Sequence, residues 1–100
     1  MIRRLVKLTF REASIDAFRE IFDHHHADIR SQAGCEHLEL WQDMDDPRIF
    51  FTYSHWQDAA DLERYRHSDL FGQVWKATKA LFDGPPEAWS TEIRVGNSAM

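Results

Sequence analysis

Hydrophobic and polar positions alternate along residues 2–10 (IRRLVKLTF), with Ile2, Arg4, Val6, Leu8 and Phe10 on one face and Arg3, Leu5, Lys7 and Thr9 on the other. A period of two predicts a strand, β1. From Ile15 the period lengthens: Ile15, Phe18, Phe22, His25 and Ile29 share one helical stripe, with Ile21 beside it. That stripe predicts α1 over about residues 15–32, capped by Ser14 and stopped near Gly34. Alternation returns in CEHLELWQD (35–43), β2, and in RIFFTYSHW (48–56), β3. Asp45-Asp46-Pro47 between them is turn chemistry, so the two strands form an antiparallel hairpin. Asp58 caps a short α2 running to about Arg66, and Ser68 caps α3. The inner stripe of α3 is Phe71, Val74, Trp75, Thr78 and Phe82, and Gly84-Pro85-Pro86 stops it. EAWSTEIRV (87–95) alternates again, with Trp89, Thr91, Ile93 and Val95 on one face, and predicts β4. A single domain over 1–95 and a short polar tail, 96–100, complete the chain.

The element order is βαββαβ, the second crossover being the α2–α3 pair. With right-handed crossovers it folds as an α+β, ferredoxin-like plait: a four-stranded antiparallel sheet with its helices on one face. On β3 one face carries Phe50, Thr52, Ser54 and Trp56, and the other Ile49, Phe51, Tyr53 and His55. Both faces are partly apolar, but the helices cover only one. The open face therefore needs a second cover, and another copy of the chain is the simplest. The expectation is a homodimer through the open sheet face, a dimeric α+β barrel.

Composition changes this picture only at its margins. Four Trp, seven Phe and two Tyr in 100 residues are rich, and suit a small core, a pocket or an interface. A net charge of −5 argues against a nucleic-acid partner, because phosphate binding needs a basic patch. MIRRLVK is too short and too interrupted by charge to be a signal peptide or a membrane span. With a single cysteine, a cytoplasmic location is the default. Cys35, the single cysteine, leaves no internal disulfide and has no neighbouring His or Lys to activate it.

His24-His25-His26 suggests a metal site but makes a poor one. Consecutive helical side chains point about 100° apart and do not converge on one ion. His24 with Asp28 has the right spacing, yet supplies only two ligands. No Gly-rich phosphate loop, nucleophile elbow or metal-ligand array with convincing spacing is present.

Candidate chemistry is concentrated between Phe50 and Phe82. Trp56, at the end of β3, offers an N–H donor and a stacking surface, or else seals the sheet edge as a core residue. His67, just ahead of α3, is either a proton acceptor or a solvated loop histidine. His25 places a polar tip on the apolar stripe of α1, as a satisfied core histidine or as pocket lining. Tyr53 and His55 lie on the face opposite Trp56, which makes them interface rather than site; His37 fits either role.

FFTYSHW, followed by a capped helix and then Arg66-His67-Ser68-Asp69-Leu70-Phe71, resembles the antibiotic biosynthesis monooxygenase family. Trp56 and the Ser68-x-x-Phe71 pair are its most specific parts, and the element order is shared from β1 through Trp89. The resemblance implies the dimeric barrel and a small oxygenase that uses no metal, flavin or haem. It implies an electron-rich aromatic substrate, an anthrone or hydroquinone, held between sheet and helices. On that model Trp56, Phe50, Phe71 and Trp75, with Phe22 beside them, hold the ring plane. Thr52 hydrogen-bonds the substrate oxygen and His67 or His25 is the base. Some positions depart from the family's branches. Thr52 stands where the anthrone-oxidising branch has an amide, and Tyr65 and Leu70 where the quinol-oxidising branch has histidines. Trp75 stands near the haem-ligand histidine of the haem-degrading branch, which disfavours that activity. The alternative is a non-catalytic small-molecule-binding or stress-response barrel of the same fold.

Overall fold

The structure, a computed structural model, describes residues 1–96; the end of the expected tail lies outside the described residues. Its elements are β1 (Ile2–Thr9), α1 (Ile15–Arg30), β2 (Cys35–Gln42), β3 (Ile49–Trp56), α2 (Ala59–Arg66), α3 (Asp69–Lys79) and β4 (Glu87–Thr91). The strands form one sheet in the order β2-β3-β1-β4, every neighbouring pair antiparallel. This is the ferredoxin-like plait that the periodicity predicts.

Directly opposed residues of an antiparallel pair share a face, so the register sorts the side chains. Leu8 opposes Phe50, Val6 opposes Thr52, Arg4 opposes Ser54 and Ile2 opposes Trp56, all toward the helices. Leu5 with Tyr53, Lys7 with Phe51 and Arg3 with His55 face the other way. The main core joins Leu8, Phe10 and Phe50 of the sheet side to Phe18 and Phe22 of α1. Phe10 stacks on Phe18 with ring centroids 4.2 Å apart, and meets Phe50 edge-on at 5.9 Å. A smaller cluster of Cys35, Trp56 and Leu62 closes the opposite end of the layer.

Two caps form as expected. The Asp58 side chain accepts from the Asp61 N–H at 3.1 Å, and the Ser68 hydroxyl accepts from the Phe71 N–H, also at 3.1 Å. Ser14 sits at the N-cap of α1 but makes no side-chain cap bond, because a 3-10 turn over Glu12–Ser14 leads into the helix. Gly34, after α1, has φ +85°, and a Cβ there would overlap the Asp61 side chain. Both the turn and the close approach of α2 therefore require glycine.

Three boundaries depart from the sequence expectation, each for a tertiary reason. Helix α1 ends at Arg30 rather than residue 32, where the chain turns toward Gly34. Helix α3 ends at Lys79 rather than Phe82: Phe82 leaves the helix to bridge Phe10, and the Asp83 N–H bonds the Thr9 carbonyl at 2.8 Å. Strand β4 stops at Thr91 although alternation continues to Val95, because Thr91 already pairs with Arg3 near the start of β1. Beyond it there is little partner strand, and Ile93 and Val95 are exposed.

Candidate functional site

A cavity of about 120 Å³ lies between the helix-facing side of the sheet and the helices. Its sheet side carries Val6 and Leu8 of β1 and Thr52, Ser54 and Trp56 of β3. Helix α1 contributes Phe18 and Phe22, α2 contributes Tyr65, and α3 contributes Phe71, Trp75 and Thr78. An apolar cavity of roughly 150 Å³ holds one benzene molecule. The space here is thus the size of one aromatic ring.

Its aromatic wall is continuous. Trp56, only 1% exposed, donates its Nε1–H to Ser54 Oγ at 3.0 Å and stacks on Tyr65 with centroids 5.1 Å apart and planes 21° from parallel. Tyr65 meets Phe71 edge-on at 5.3 Å, and Phe71 lies parallel to Trp75, 9° off, at 5.9 Å. The Ser68 hydroxyl sets the spacing of this wall. It donates to the Tyr65 carbonyl at 2.6 Å while capping α3 through the Phe71 N–H. Burial pushes the Tyr65 phenol up to about 12, with nearby Cys35 adding to the effect, so at neutral pH it is a donor and not a base.

Two polar groups stand out in the lining. Arg4, the one charged residue there, donates from Nη1 to Ser90 Oγ at 3.0 Å and makes no ion pair among the described residues. Burial lowers its pKa, as does Arg66, while Glu63 acts in the opposite direction; a guanidinium remains charged throughout. Thr78, 3% exposed, has its Oγ1 buried without a hydrogen-bond partner. Among the described residues no histidine or carboxylate lines the cavity.

The structure brings Trp56, Thr52, Phe22, Phe71 and Trp75 together around this space and leaves three candidates out. Phe50 is 1% exposed but packs beneath the cavity against Phe10 and Phe18, as core. His67 occupies the C-cap of α2 with its side chain 79% exposed, and its Nδ1 lies 2.8 Å from the Glu63 carbonyl. His25 faces a separate shallow groove with Ile21, His24 and Leu81, its Nδ1 buried without a partner. Around the helix it stands about 60° from Phe22, at the edge of the stripe shared with Ile21. Arg4, Ser54, Tyr65 and Thr78 are the polar lining residues that sequence reasoning passed over as site residues. Arg4 had left a signal: a charge at an inward position between Ile2 and Val6.

Residues 1–77 match the family model for antibiotic biosynthesis monooxygenase. The chain belongs to this family. Among curated proteins none matches the sequence significantly. A putative antibiotic biosynthesis monooxygenase from Deinococcus radiodurans superposes with a TM-score of 0.88 at 18% identity, over 100% of this chain and 99% of that one. A putative member from Nitrosomonas europaea gives 0.87 at 16% identity, over 95% and 100% of the two chains. A conserved protein from Methanosarcina mazei Go1 gives 0.86 at 19%, over 90% and 89%. At such identities the likeness establishes the fold.

In this monooxygenase-family chain the described residues include no group of three His, Cys, Asp or Glu side chains placed to hold a metal ion. No helix among them is long and apolar enough to cross a membrane. What the cavity can do is stack a flat ring against Trp56, Phe71 and Trp75 and offer O–H and N–H donors to that ring's substituents.

Proposed function

We propose that this protein oxygenates a small, electron-rich aromatic of the quinol type with O2, without a metal, flavin or haem. The observation that carries the reading is the ring-sized cavity with its continuous aromatic wall, Trp56–Tyr65–Phe71–Trp75, in a chain of the monooxygenase family. For a hydroquinone the reaction balances as quinol plus O2 giving hydroxyquinone plus water. A ring C–H is replaced by C–O, the second oxygen atom leaves as water, and all four electrons come from the substrate. The protein binds the ring, keeps bulk water away and holds the substrate oxygen through the Thr52 and Tyr65 hydroxyls. Because no histidine or carboxylate among the described residues lines the cavity, the substrate reacts as its own phenolate, passing an electron to O2. A single ring suits the volume better than the three fused rings of an anthrone.

The missing base also favours a second reading, a small-molecule-binding barrel with no chemistry. Oxygen uptake by metal-stripped protein separates the two. Substituted hydroquinones are consumed faster than they autoxidise, and Trp56→Phe or Tyr65→Phe reduces that rate at least tenfold. No uptake above autoxidation across the panel leaves the binding reading.

The working form in this proposal is a homodimer through the open sheet face. Leu5, Phe51 and Tyr53 make an apolar row there, and Trp41 and Trp89 are 40% and 43% exposed. Trp41 stacks on Tyr53 at 4.6 Å. Leaving these aromatics in water is unfavourable, and a second sheet covers them. Sedimentation shows a dimer that Phe51→Glu converts to monomer; a monomeric wild type refutes it.

A further inference from the structure

Arg4 breaks the pattern of its own strand. It occupies an inward position between Ile2 and Val6, where the alternation calls for an apolar side chain. Its neighbours across the sheet are Ser54 on β3 and Ser90 on β4, so a polar row crosses the helix-facing side beside Trp56. Among the described residues only Ser90 Oγ receives a hydrogen bond from the guanidinium, which has five donors to place. Among the described residues no carboxylate pairs with it, in a chain whose net charge is −5. The closest group of that kind in electrostatic effect, Glu63, is already held by Arg66 at 2.8 Å. A positive charge is thus held half-buried at an apolar cavity with no anion paired to it among the described residues. Its bond to Ser90 is exposed, so water reaches the guanidinium, and an anion in the cavity would gain a charge-assisted hydrogen bond from the side turned away from solvent.

An independent observation lies elsewhere in the lining. Thr78 Oγ1 is buried and unpartnered. Thr78 lies in the last turn of α3, four residues before Phe82, which packs on Phe10, so Thr78 stands toward the Phe10 end of the layer. Arg4, opposite Ser54, lies toward the Trp56 end. Buried polar groups in folded proteins are almost always satisfied, by protein, water or ligand.

We propose that the cavity selects a single aromatic ring bearing an anionic oxygen, which Arg4 pairs, and a second polar substituent, which Thr78 Oγ1 bonds. Arg4 is then the specificity-determining residue. The proposal rests on the oxygenase reading for its biological sense, but the binding it describes stands apart from turnover. The ring oxyanion has two chemical sources, a carboxylate or an ionised phenol. A guanidinium suits both, giving charge-assisted hydrogen bonds that an uncharged analogue does not form.

The test measures binding by calorimetry at pH 7 with 4-hydroxybenzoate, 4-nitrophenol and the uncharged 4-hydroxybenzyl alcohol, for wild type, Arg4→Gln, Arg4→Lys and Thr78→Val. Wild type binds at least one anionic probe about tenfold or more tighter than the alcohol. Which anion is preferred identifies the source, and the colour of bound nitrophenol reports whether it is held as phenolate. Arg4→Gln abolishes the preference and shifts bound nitrophenol toward the neutral phenol, while Arg4→Lys retains part of it. Thr78→Val, which removes a buried unpaired hydroxyl, raises the melting temperature of the free protein but weakens 4-hydroxybenzoate severalfold. Equal affinity for all three probes overturns the proposal, as does a preference that survives Arg4→Gln or no binding at millimolar concentration. The wild-type comparison decides the matter even if Arg4→Gln fails to fold. Binding as described without oxygen uptake on any quinol removes the oxygenase reading and leaves this one. Uptake on uncharged quinols that Arg4→Gln does not alter does the reverse.

Discussion

Ser54→Ala is the sharpest perturbation of the site. Ser54 is 7% exposed, and its hydroxyl accepts the only polar hydrogen of an indole that is 1% exposed. Removing the acceptor leaves that N–H buried without a partner, at a cost of about 1–3 kcal/mol. Serine is small, so little packing is lost with it. For a domain of this length each 1 kcal/mol lowers the melting temperature by roughly 4–8 °C, which puts the expected drop at about 5–20 °C. Trp56→Phe destabilises by a different route, removing the donor itself and part of the ring buried against Cys35, Leu62 and Tyr65. Combining the two changes costs less than their sum, by about 1 kcal/mol or more, because the second no longer breaks a bond. Urea unfolding followed by far-UV circular dichroism measures all four species, at one protein concentration because association raises apparent stability. If Ser54→Ala lies within about 0.5 kcal/mol of wild type, or the two costs simply add, then the bond does not hold the indole and its role in the wall fails.

Other expectations are independent of that bond. Tyr65 is held protonated to about pH 12 against an ordinary value of 10, so it contributes stability that is present below pH 10 and lost between about 10 and 12; Tyr65→Phe flattens unfolding midpoints over that window. Burial, then Arg3 and His37, lowers the His55 pKa from its ordinary 6.5, with Glu39 opposing. The folded state therefore binds fewer protons there, and stability present above pH 6.5 is lost as pH falls below it; His55→Gln reduces this acid sensitivity in urea midpoints. Because the His67 side chain points into solvent, His67→Ala leaves quinol oxidation within about twofold of wild type, and a tenfold loss would falsify its placement outside the site. Gly34→Ala, at φ +85° and against Asp61, costs more than about 1 kcal/mol in thermal or urea unfolding, and a neutral result contradicts the close approach of α2.

The sequence by itself determined the architecture. Period-two runs, a helical stripe and caps such as Asp58 and Ser68 are local features, and their order leaves few topologies open. The two-faced character of β3 followed too, because side-chain alternation is a property of one strand. Five of the ring-binding candidates, Trp56, Thr52, Phe22, Phe71 and Trp75, were named from the family resemblance, and each also lies at an inward position, where a residue meets whatever its stripe covers. Tertiary structure decided the rest. Whether an inward aromatic becomes wall or core depends on the layer above it, which is why Phe50 is sealed against Phe10 and Phe18 while Thr52, two residues on, reaches the cavity. His25 missed the cavity because it lies at the edge of its stripe, and His67 because a helix C-cap turned it outward. Strand β4 ended where its partner ran out, and α3 ended where Phe10 drew Phe82 away, neither of which any local window contains. The pairing of Arg4 with Ser54 and Ser90, like the unpartnered Thr78 hydroxyl, arises only once residues distant in the chain are brought together. The sequence marks which residues point inward, but the charge and hydrogen-bonding capacity left unmatched there is a property of the assembled layer.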